Sequence, residues 1–141
     1  MANDATTTAE TYTFEQAKAI VKRVETVIND KDIEATVAGF TEDAVVHFGD
    51  FPELRGRPAI RDFMAARWVR QKDYVFRKTL HAVTGNVFAN TWEGQWVDGQ
   101  TGRAMRGFGT DIWTMKDGRI DLWEAAFNAW EEGGGPTSPI V

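Results

Sequence analysis

The sequence has no cysteine, only two histidines, only two tyrosines and no long apolar run. Without cysteine, disulfides, thiolate nucleophiles and cysteine-ligated zinc or iron–sulfur centres are excluded. His, Asp and Glu show no metal-ligand spacing, so no metal is expected. Basic residues are in deficit, with 16 Lys plus Arg against 21 Asp plus Glu and a formal charge of −5. A nucleic-acid grip needs a basic stripe that replaces counterions, so nucleic acid is not an expected partner. No stretch approaches a membrane span. The Thr-rich residues 1–11 carry neither a basic opening nor the apolar run of a secretory leader. The cytoplasm is the expected location by elimination.

What is present fits one domain. The 141 residues are 43% apolar and 26% charged, enough to bury a core and too ordinary for global disorder. Six Trp and nine Phe imply a bulky interior. A single domain is expected over residues 13–131, with flexible tails at 1–12 and 132–141, the latter opening on Gly133-Gly134-Gly135-Pro136.

Apolar residues recur at helical spacing from Phe14 to Ile28, and Thr13 with Gln16 makes a capping-box pattern. Asp32 opens a second helix with Ile33, Val37 and Phe40 on one face; Ala44 to Phe48 reads as a short strand and Gly49 to Gly56 as a loop. Pro58 suits the first turn of a third helix. Its inward stripe is Ile60, Phe63, Met64, Arg67 and Trp68, with Arg67 a cation where the pattern expects an apolar group. Four strands follow, near 74–84, 87–97, 104–115 and 120–130, joined by turn-forming residues. Three helices before an antiparallel meander predict an α+β fold, with helices packed on a strongly curved, mostly antiparallel sheet around a cone-shaped pocket.

In the last hairpin, Lys116-Asp117-Gly118 reads as a three-residue loop that pairs Asp111 with Trp123. One face then carries Gly107, Gly109, Asp111, Trp113, Trp123, Ala125 and Phe127, with the glycines leaving a hollow. The other carries Arg106, Phe108, Thr110 and Ile112 opposite Asn128, Ala126, Glu124 and Leu122, and suits a partner subunit. A loop of different length would set Asp111 against Glu124 instead. A carboxylate among aromatic rings loses hydration, which raises its pKa and equips it for proton exchange near neutrality.

Several passages resemble SnoaL-like members of the nuclear transport factor 2-like superfamily. They are Asn29-Asp30-Lys31-Asp32, Phe40-Thr41-Glu42-Asp43-Ala44-Val45-Val46, Leu54-Arg55-Gly56-Arg57-Pro58-Ala59-Ile60, and the run from Trp113 to Trp123. Arg67-Trp68, Lys72-Asp73-Tyr74 and Glu124-Ala125-Ala126-Phe127-Asn128 resemble an uncharacterised branch of it. The resemblance implies the cone fold and a homodimer but no single activity. Asp111 matches the pocket acid of ketosteroid isomerase, whereas that enzyme's base falls at Phe48 and its tyrosine at Val24. The epoxide hydrolase acids fall at Asn90-Thr91-Trp92 and near Ala125, so neither chemistry carries over whole.

The candidate catalytic residues are therefore Asp111 as acid or proton shuttle, His47 as a replacement base, and Arg67 as the group that neutralises negative charge on oxygen. Candidate substrate-binding residues are Phe48, Trp68, Trp92, Trp113, Trp123 and Phe127. Against these stand plainer readings: Asp111 paired to Arg103 or Arg119, and Arg67 in a buried ion pair. His81 is read as structural or exposed. Two functions remain open. One is a cofactor-independent enzyme, an isomerase, dehydratase, cyclase or other lyase, acting on a small apolar, cyclic or aromatic molecule. The other is a non-catalytic binding or assembly module with the same pocket.

Overall fold

The computed structural model describes residues 10–138 and 140. Helix α1 (Phe14–Asn29) starts on the expected capping box, Thr13 Oγ1 accepting from Gln16 N–H while the Gln16 side chain accepts from Thr13 N–H. Its buried face, with Ala17, Val21, Val24 and Ile28, lies over the strand Gln71–Thr84. Asn29 fixes that packing by pairing with both backbone polar groups of Phe76. Helix α2 (Ile33–Ala38) is capped by Asp32. Strands β1 (Phe40–Phe48) and β2 (Leu54–Arg55) precede α3 (Gly56–Arg70). The meander follows as β3 (Gln71–Thr84), β4 (Val87–Asp98), β5 (Ala104–Lys116) and β6 (Arg119–Glu131).

The six strands form one sheet in the order β2-β1-β6-β5-β4-β3, with β1 parallel to β6 and every other pair antiparallel. The inward-pointing phases of β3, β4 and β5 build the core with α1 and α3, because alternate side chains leave opposite faces of a strand. Among the described residues no helix is long and apolar enough to cross a membrane.

Four expectations are corrected. Phe40 belongs to a strand and not to the second helix, since β1 starts before Ala44. The segment 49–56 is not all loop: Leu54 and Arg55 pair with β1. Tyr12, read as part of a flexible tail, is fixed: its N–H donates to Gly85 O, its hydroxyl accepts from Gly118 N–H, and its ring meets Phe88 edge-on. Residues 1–9, 139 and 141 of the expected tails lie outside the described residues.

The last correction concerns the hairpin. Its turn is the two-residue Asp117-Gly118, both at positive φ (53° and 73°), the mirror-image turn that an Asp-Gly pair favours. That turn alone would have reversed the phase of β6. A bulge restores it: Met115 pairs with Ile120 but Thr114 with Leu122, leaving Asp121 as the extra residue, its carboxylate accepting from Thr41 Oγ1. The expected face is kept, but Asp111 stands opposite Ala125, not Trp123 or Glu124.

Candidate functional site

A cavity of about 450 Å³ opens between α3, the end of β1 and the inner face of the sheet. Its walls are mostly rings, from Phe48, Phe51, Phe63, Trp92, Trp96 and Phe127. Polar groups enter on one side only, as Arg67, Arg70, Gln71 and Asp98. The phenyl rings of Phe48 and Phe127 stack at 4.5 Å, and Phe63 meets Phe48 edge-on at 5.6 Å.

The inner-face glycines do not leave the expected hollow. A Cβ on Gly109 would stand 2.6 Å from Trp92 Nε1 and 2.8 Å from Ala126 O, and one on Gly107 would stand 2.9 Å from the Trp96 ring. Both positions are glycine because indoles lie on the strand there. Trp92, opposite Gly109, forms the cavity floor.

Two residues further along β5, beyond that floor, lies Asp111, its side chain wholly buried. Its partner is Lys78 of β3, equally buried, whose ammonium donates to Asp111 Oδ2 at 2.6 Å. Asn90 Nδ2 donates to the other carboxylate oxygen at 3.0 Å. Phe76, Trp113 and Trp123 cage the ammonium, with ring centroids 5.1–5.6 Å from Nζ. Burial pushes the Asp111 carboxyl above the usual carboxylate range against the pull of Lys78. Burial likewise pushes the Lys78 ammonium down, opposed by Asp111. Burial thus works against both charges, while each partner's charge holds the other in place. Asn90 Oδ1, Trp113 Nε1 and Trp123 Nε1, which flank the pair, have no protein hydrogen-bond partner.

Arg67 occupies the side of the cavity. Nε donates to Gln71 Oε1 at 2.5 Å and a terminal nitrogen to the Tyr74 hydroxyl at 3.1 Å. The guanidinium carbon is 4.9 Å from the centroids of both Phe48 and Tyr74. Burial raises the Tyr74 phenol, with Arg67 opposing, so the ring stays neutral. Arg70 is bound to Asp98, whose carboxyl that guanidinium holds down at about 2.

The structure brings together only part of the sequence-predicted set. Phe48, Trp92, Phe127 and Arg67 line the cavity. Asp111, Trp113 and Trp123 lie together in the layer beneath it. His47 is excluded from both: it alternates with Phe48 onto the outer face, 49% exposed, with Nε2 3.4 Å from Glu53. Trp68 packs half-buried against the core without reaching the cavity. Neither Arg103 nor Arg119 holds Asp111; Arg103 pairs with Glu131 on the surface. His81 is exposed and bonded to Thr91. Sequence reasoning missed Lys78, although a lysine in the apolar phase of Tyr74, Phe76 and Leu80 was a readable signal. Phe51, Gln71 and Tyr74 were also missed.

A curved six-stranded sheet closed by three helices over a ring-lined cavity is the nuclear transport factor 2-like cone. Solved structures agree on that fold. The epoxide hydrolase/cyclase-like enzyme SalBIII, of pyran ring formation in polyether salinomycin, superposes with a TM-score of 0.72 at 20% identity, over 81% of this chain and 92% of its own. A candidate polyketide cyclase from Xanthomonas campestris pv. campestris gives 0.73 at 20% identity, over 81% and 91%. An LEH-like epoxide hydrolase from M. tuberculosis gives 0.64 at 18%, over 81% and 84%. Within this class the chain belongs to DUF1348, a family of proteins of unknown function, whose family model matches residues 10–131. No curated protein matches the chain.

Proposed function

We propose that the protein is a cofactor-independent enzyme that carries out acid–base chemistry on a small apolar, cyclic or aromatic molecule held in the cavity. The reaction is an isomerisation, dehydration, cyclisation or other lyase step. One observation carries this reading: a fully buried carboxylate–ammonium pair lies two residues along β5 from Gly109, the position opposite the cavity-lining Trp92. Phe48, Trp92 and Phe127 hold the ring. A substrate atom that reaches past the Trp92 indole meets Asp111 as acid or shuttle, with Lys78 as the group that takes or returns the proton, the role first assigned to His47. Arg67 faces the oxygen end of the substrate, where a cation held against the Phe48 and Tyr74 rings opposes negative charge on oxygen. Relatives described as cyclases and epoxide hydrolases share this cone, which supports the reading at the level of fold.

A specific observation favours the second reading, a binding module without chemistry: both oxygens of Asp111 are occupied, and Asp111 does not line the cavity. A screen of cyclic and aromatic ketones, alcohols and acids by Trp fluorescence, followed by assay of the binders, separates the two. The enzyme reading expects turnover that drops about 10²-fold or more in Asp111→Asn. Binding with no turnover, or turnover indifferent to that substitution, removes it. We also propose that two copies pair through the outer sheet face, where Val75, Phe108 and Ile112 are exposed. Light scattering that finds a monomer at assay concentrations refutes the pairing.

A further inference from the structure

We propose that the molecule taken into the cavity is a monocarboxylate, an alicyclic or aromatic acid whose carboxylate is gripped by Arg67. The inference rests on the cavity being a ligand site, as argued above, and adds the charge of its occupant. Arg67 is half-buried against aromatic rings, yet no carboxylate pairs with it among the described residues. The other charges of the cavity are already matched, Arg70 with Asp98, and the Lys78–Asp111 pair beneath is likewise closed. The open cavity therefore carries one unmatched positive charge. A cation withdrawn from water without an anion is costly, so an occupant that supplies one negative charge binds better than its neutral analogue.

The geometry suits a carboxylate in particular. Gln71 and Tyr74 accept from two of the five guanidinium N–H groups and hold the fork in place, leaving three for a ligand. The apolar remainder of the wall matches a ring skeleton and offers no second free cation for a dianion such as a phosphate monoester.

Matched pairs test this by calorimetry on the full chain: benzoate against benzamide, cyclohexanecarboxylate against its amide, and 2-naphthoate against 2-naphthamide. The expected result is tighter binding of at least one acid over its amide by about tenfold or more, with the gap lost in Arg67→Met and partly kept in Arg67→Lys. Circular dichroism confirms that each variant is folded; should Arg67→Met not fold, Arg67→Gln takes its place. Equal binding of acid and amide overturns the monocarboxylate while leaving the cavity as a ligand site. A preference that survives in Arg67→Met overturns the role of Arg67. Failure of every probe to bind overturns this inference and the ligand site together.

Discussion

The cavity and the layer beneath it are built from the same strands, yet they treat charge in opposite ways. At the cavity side a guanidinium is oriented by two neutral groups and left without an anion. Beneath the floor an ammonium is locked to a carboxylate with no solvent contact. An interior charge paid for by a fixed partner is a permanent part of the fold. One steadied only by neutral acceptors has its electrostatic complement still to come. The difference separates the two proposed roles, the open side for a ligand and the closed pair for a proton.

The largest expected effect breaks the lower region. Lys78→Met leaves Asp111 buried and unpaired, and should cost about 3–5 kcal/mol in urea unfolding. Burial raises the Asp111 carboxyl and Lys78 opposes it, so without Lys78 the carboxyl rises further and the variant loses stability as pH rises towards that folded value. The deficit should therefore be smaller in acid than in alkaline solution. Replacing both partners, Lys78→Met with Asp111→Leu, should recover most of it, and a double variant as weak as the single one would show that the pair is not the cause. Next in size is the turnover loss of Asp111→Asn, and then the tenfold acid preference that Arg67 confers; the first tests the lower region and the second the upper.

Gly109→Ala attacks the boundary between them. Its Cβ meets an indole nitrogen and a backbone oxygen, so the Trp92 ring must shift, at about 1–3 kcal/mol. Unchanged thermal stability would mean that the floor is loose. The smallest effect lies at the rim. Asp98, held at about 2 by Arg70, adds stability above its unfolded value near 3.8 and loses it as pH falls through the folded one. Arg70→Ala should lower Tm at neutral pH, with the gap to the parent closing between about pH 4 and pH 2. A gap that persists in acid assigns the loss to packing.

How far the sequence reveals these regions depends on the range of the interactions. Local chemistry was legible: the Thr13–Gln16 cap, the Asp32 cap and the alternation of β3 to β6 follow from neighbours within a few residues. The inward face of β5 was legible too, but through two compensating misreadings, since the Asp117-Gly118 turn and the bulge at Asp121 shift the phase in opposite senses. Asp111 stood out as a carboxylate among rings. Its partner did not, because Lys78 is joined to it across β4, by a long-range register that no short window contains. Nor does residue type show that the space over Gly107 and Gly109 is taken by Trp96 and Trp92.

That last arrangement has a bearing on how the interior can change. With main-chain atoms immediately under its indole, Trp92 has no room to sink, and the height of the partition is set by the sheet itself. Trimming this one side chain would enlarge the cavity by about the volume of an indole at that wall, so the depth available to a guest molecule hangs on one codon.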